Sequence, residues 1–128
     1  MLALTRDLMF GSRVQSALTT AGHEVRLLDE PARVRELLAG SPAGAIDGPT
    51  VLVVDLTDAE LDGARALEAL REQGVLGGVR TLAFYSHVEA DTRERARRAG
   101  FDLVVPRSRM AREGAELLRP LVAGPLGA

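Results

Sequence analysis

The unbroken aliphatic run Val51-Leu52-Val53-Val54 leads directly into Asp55. A strand without a polar residue on either side must be covered on both faces, the pattern of a central strand in a parallel sheet. Further short runs lie at 2–5, 24–28, 82–85 and 103–105, with amphipathic stretches between them. Val14, Ala17, Leu18 and Ala21 fall at helical spacing before Gly22, and Pro31 opens a stretch with Val34, Leu37 and Leu38 on one face. Asp58 is placed to cap a helix carrying Leu61, Ala64, Leu67 and Leu70, which Gly74 ends. Residues 89–98 read as a strongly charged fourth helix, and a fifth runs from about Met110 to Leu121. Five strands each followed by a helix predict an α/β fold, a doubly wound five-stranded parallel sheet with right-handed crossovers. The 128 residues suit one domain over 1–122, with an irregular connection at 40–49 and a flexible tail at 123–128.

Composition closes several classes of chemistry. Without cysteine there is no disulfide, thiolate metal site or thiol nucleophile. All 16 basic residues are Arg, which excludes Schiff-base chemistry and a Walker-type phosphate loop. The net charge of −2 gives no reason to expect nucleic acid as a partner. No apolar stretch approaches the ~20 residues of a membrane span, and the first residues meet charge at Arg6 and Asp7 too early for a secretory signal. The expectation is a soluble, cytoplasmic chain that does not engage a membrane.

In open α/β sheets, ligands gather outside the carboxyl ends of the strands where the strand order reverses. That rule selects Arg6 and Asp7 after the first strand, Asp55 after the third, Ser86 and His87 after the fourth, and Arg107 after the fifth. Two carboxylates, a hydroxyl and a guanidinium suit a divalent cation or a phosphoryl group, because Mg²⁺ takes oxygen ligands and Arg pairs with phosphate oxygens. The set contains an acceptor and charge stabilisers but no evident base for turnover. His87 and His23 have no triad around them, so catalysis is not expected there.

With these residues in place, nearly the whole chain resembles the receiver domain of bacterial response regulators. Val51-Leu52-Val53-Val54-Asp55 is followed by Asp62-Gly63 at the offset common in that family, Ser86 matches its hydroxyl after strand 4, and Gly100-Phe101-Asp102-Leu103-Val104-Val105-Pro106-Arg107-Ser108 is similar to its strand-5 signature. The resemblance implies a flavodoxin-like (βα)5 fold with strand order 2-1-3-4-5, in which Asp55 occupies the phosphoacceptor position. It also implies an atypical member. Arg6-Asp7 stands where the family has two acids that help to hold Mg²⁺, Arg107 replaces its Lys, Ser108 its Pro and Val104 its aromatic switch residue. Arg6 beside Asp55 is expected to act as a built-in counter-ion in place of the metal.

The function implied is a stand-alone, non-enzymatic signalling module that acts by protein contact in trans, with phosphorylation weakened or lost. No cofactor is required on this reading. An alternative is a phosphoryl-accepting response regulator with a weak Mg²⁺ site made by Asp7, Asp55 and the backbone carbonyl of Thr57. A remoter one is a phosphate- or nucleotide-binding flavodoxin-like domain, against which stand the missing G-x-G-x-x-G turn and the scarcity of aromatic residues. Partners implied are a histidine kinase or another signalling protein. Arg93, Arg97 and Arg98, extended by Arg109 and Arg112, mark an interaction surface, because fourth helix, fifth strand and fifth helix commonly serve self-association in the resembling family. Within the fourth helix, Glu94 has the i,i+4 spacing to pair with Arg98.

Overall fold

The structure is a computed structural model that describes residues 1–40, 50–86 and 90–123. Five parallel strands, β1 (Leu2–Leu4), β2 (Arg26–Leu28), β3 (Val51–Asp55), β4 (Arg80–Tyr85) and β5 (Leu103–Pro106), form one sheet in the order β2-β1-β3-β4-β5. The helices are α1 (Leu8–Thr20), α2 (Pro31–Ala39), α3 (Gly63–Glu72), α4 (Ala90–Ala99) and α5 (Arg107–Ala123). The expected connection at 41–49, His87 and the tail at 124–128 lie outside the described residues.

Strand β3 is central and every one of its residues is buried. Its side chains alternate between two cores, as the strand's period of two requires. Leu52 and Val54 join Leu67 and Leu70 of α3, Val34 and Leu38 of α2, and Ala96 of α4. Val51 and Val53 join Val14 and Leu18 of α1 and Leu117, Leu118 and Leu121 of α5. Full burial of each Leu or Val contributes about 1.5–3 kcal/mol, so the sheet is held by apolar layers on both faces.

Strands β2 and β4 begin at Arg26 and Arg80 instead of 24 and 82, and the starts of α1, α3 and α5 also differ from the sequence reading. Helix α1 starts at Leu8 because the Asp7 side chain accepts the Phe10 N–H at 2.9 Å. Helix α3 is capped by Asp62, not Asp58, and starts at Gly63. Asp58 instead organises the turn before it, accepting from the Glu60 and Leu61 amides. Helix α5 begins at Arg107 and is kinked where Glu113 leaves helical geometry.

Candidate functional site at the carboxyl edge of the sheet

The order reverses between β1 and β3, and their pairing of Leu4 with Val54 brings Thr5 beside Asp55. Asp55 is 1% exposed. Its Oδ2 accepts from the Thr5 hydroxyl at 2.7 Å, and its Oδ1 accepts from the Thr57 amide at 2.7 Å and the Thr57 hydroxyl at 2.6 Å. The Thr5 hydroxyl in turn accepts the Asp7 amide at 3.1 Å. These hydrogen bonds to Asp55 come from neutral groups, and they satisfy a buried carboxylate that would otherwise be strongly destabilising.

Arg6 is not the counter-ion of Asp55. Its guanidinium forms a two-pronged contact with Asp58, Nε to Oδ2 at 2.7 Å and Nη2 to Oδ1 at 2.8 Å, and reaches Glu60 at 3.4 Å. The residue sits after the buried end of β1 and its side chain turns outward, where the carboxylate of Asp58 is already oriented by two backbone amides. The hydrogen bond from Arg6 holds the Asp58 carboxyl below its usual value, against a smaller opposing effect of desolvation. The same contact raises the guanidinium's already high pKa.

Asp7 and Arg107 meet each other instead of Asp55. Asp7 divides its carboxylate between the cap of α1 and an ion pair with Arg107 Nη2 at 3.0 Å, while the Arg107 guanidinium lies 4.4 Å above the Phe10 ring. A cavity of about 480 Å³ brings together Arg6, Asp7, Asp55, Thr57, Asp58 and Glu60. Ser86 lies in a neighbouring cavity of about 380 Å³ that also takes in Asp62, Asp91 and Arg95. Thr57 and Asp58 line both.

The residues fit Mg²⁺ poorly. Both oxygens of Asp7 and both of Asp55 already accept hydrogen bonds, and one Asp7 oxygen faces a cation. The Thr57 amide and hydroxyl both bond to Asp55 Oδ1. Among the described residues no group of three or more His, Cys, Asp or Glu is disposed to hold a metal ion.

Thr5, Asp58 and Glu60 were absent from the sequence-derived site. The first was detectable in principle, since parallel neighbours in register place their strand ends side by side. The Asp62-Gly63 pair has a packing reason: Asp62 adopts φ 45°, and a Cβ on Gly63 would stand 2.5 Å from Val54 Cγ1 and 3.1 Å from the Asp55 carbonyl. Asp102 works at the opposite edge of the sheet, accepting from the Thr81 amide at 2.7 Å. Arg93, Arg97, Arg98, Arg109 and Arg112 are all exposed. The expected Glu94–Arg98 pair is not formed; Arg95 bridges from α4 to Glu68 on α3 at 3.1 Å and to Asp62, the cap of α3, at 3.7 Å.

No protein-family model matches the chain, and no curated protein matches its sequence. Solved structures do match it, several over nearly their whole length. A putative response regulator from Chloroflexus aurantiacus superposes with a TM-score of 0.81 at 15% identity, covering 96% of each chain. The receiver domain of the putative response regulator NarL from Mycobacterium tuberculosis gives 0.75 at 21% identity, covering 96% of this chain and 94% of that one. The phosphorylated cyanobacterial phytochrome response regulator RcpA gives 0.74 at 13% identity, covering 95% and 92%. The architecture is therefore the receiver fold of response regulators.

Proposed function

We propose that the chain is a receiver-like signalling module that acts through protein–protein contacts, with phosphoryl acceptance by Asp55 weakened or lost. The observation that carries this reading is the state of Asp55: it stands at the end of β3, where the resembling family carries its acceptor, yet it is buried with both oxygens engaged by Thr5 and Thr57. Hydrogen bonds from those donors draw electron density from the oxygens and lower their nucleophilicity toward phosphorus. The acid that would share a metal is tied to Arg107, and Arg6 brings positive charge where the resembling family carries a second acid. The reading makes the chain a binding module and not an enzyme, working in the cytoplasm; among the described residues no helix is long and apolar enough to cross a membrane.

The partner on this reading is a protein in trans, a histidine kinase or another signalling component. The exposed arginines of α4 and α5 offer a face for it or for a second copy of the chain through α4, β5 and α5. The deciding experiment is incubation with acetyl phosphate, or a beryllofluoride analogue, and Mg²⁺, followed by intact mass and NMR with Asp55→Asn as control. No uptake, under conditions that modify an ordinary receiver, is the expected result. Mg²⁺-dependent uptake lost in the control would establish instead a phosphoryl-accepting regulator with a weak metal site.

A further inference from the structure

Two links join the loop after β1 to the end of β3 and the loop that follows it, an inner one from Thr5 to Asp55 and an outer one from Arg6 to Asp58. Thr5 and Thr57 hold Asp55 from within. The next residues, Arg6 and Asp58, join outside them at 2.7 and 2.8 Å, with Glu60 as a third member at 3.4 Å. All five of Arg6, Asp55, Thr57, Asp58 and Glu60 line one cavity, in which Asp55 is buried while the side chains of Arg6 and Glu60 are 41% and 86% exposed. The outer link is thus solvated and the inner one dry.

We infer that the Arg6–Asp58–Glu60 bridge is a releasable strap that keeps the two loops together over Asp55 and so sets how readily any reagent reaches its carboxylate. A solvated ion pair is weak enough to open and is screened by salt. Asp58 is nevertheless held ready to re-form it by the Glu60 and Leu61 amides. When the strap opens, the end of β1 can draw away from the end of β3, which releases Asp55 Oδ2 from Thr5 and uncovers Oδ1 together with the Thr57 amide bonded to it. This access control concerns the carboxylate itself and does not depend on whether the chain has a signalling partner.

The test uses the full chain and two readouts: carbodiimide-driven coupling of an amine to carboxylates, localised to Asp55 by fragment mass spectrometry, and hydrogen exchange of the Thr57 amide, which donates to Asp55. Arg6→Ala is expected to raise both roughly two- to fivefold, the factor an exposed ion pair is worth, with Arg6→Lys between it and wild type. Molar salt, which shortens the screening length to ~3 Å, should raise both in wild type and leave Arg6→Ala unchanged, against the Leu82 amide of β4 as an internal reference. Equal labelling and exchange in wild type and a folded Arg6→Ala would overturn the strap. So would wild-type Thr57 exchange that ignores salt, which decides the matter even if the variant does not fold.

Discussion

Thr5 meets two hydrogen-bonding demands with one hydroxyl, accepting the Asp7 amide and donating to Asp55. Thr5→Val keeps the shape and removes both, leaving a buried carboxylate oxygen and an amide without those partners. The expected loss of stability is about 1–3 kcal/mol, read from urea denaturation; a change within about 0.5 kcal/mol of wild type would contradict the assignment. Asp58 supplies a prediction in pH. Its carboxyl is held below the ordinary 3.8 by Arg6, so its stabilising contribution is present above that value and is lost as pH falls through the lower, folded one. NMR titration of the Asp58 carboxyl should give a midpoint below 3.8, returning toward it in Arg6→Ala. At this scale the site was half legible. Asp55, Asp7 and Arg107 were all found from strand ends, but which charge meets which depends on side-chain direction. The outward turn of Arg6 toward Asp58 is not written in the spacing of either residue.

Helices and strands were far more legible, because Gly22 and Gly74, Pro31 and the uninterrupted aliphatic run of β3 are local signals that packing reinforces. Gly22 and Gly74 have positive φ in the structure, at 98° and 70°, as helix stops require. The start of α3 was the exception: Asp58 and Asp62 each accept from amides just downstream of themselves, so the spacing alone does not choose between them; the helix starts at Gly63, where a Cβ would stand 2.5 Å from Val54 Cγ1. A side chain at that position must push α3 away from β3. Gly63→Ala is therefore expected to cost about 1–3 kcal/mol, the usual range for overpacking, although alanine is the better helix former. Thermal denaturation with an unchanged or raised melting temperature would show that the helix start relaxes freely.

Across the whole molecule the two apolar layers share β3 and its neighbours, so neither face has a core that stands without the sheet. Unfolding should be a single cooperative transition. The lone tyrosine, Tyr85, is buried at the end of β4 and its fluorescence should follow the same denaturant curve as the helical circular dichroism. Separated midpoints would mean that one helical layer detaches first. The charged exterior is organised differently from the core, by pairs that bridge elements: Arg95 joins α4 to α3, and Arg107 joins the start of α5 to Asp7.

The donors around Asp55 also have a direction. The Thr57 amide can only give a proton, and the Thr5 hydroxyl, already receiving one from Asp7, points its own at the carboxylate. Everything converges on a group that only accepts. An asparagine at position 55 carries an NH₂ that must face one of these givers, either confronting the Thr57 amide or depriving the Thr5 proton of its acceptor. The exchange of one oxygen for nitrogen, customarily treated as silent apart from chemistry, here reverses a link in the wiring between β1 and β3. Asp55→Asn should consequently unfold at lower denaturant than wild type, whatever it does to phosphoryl uptake.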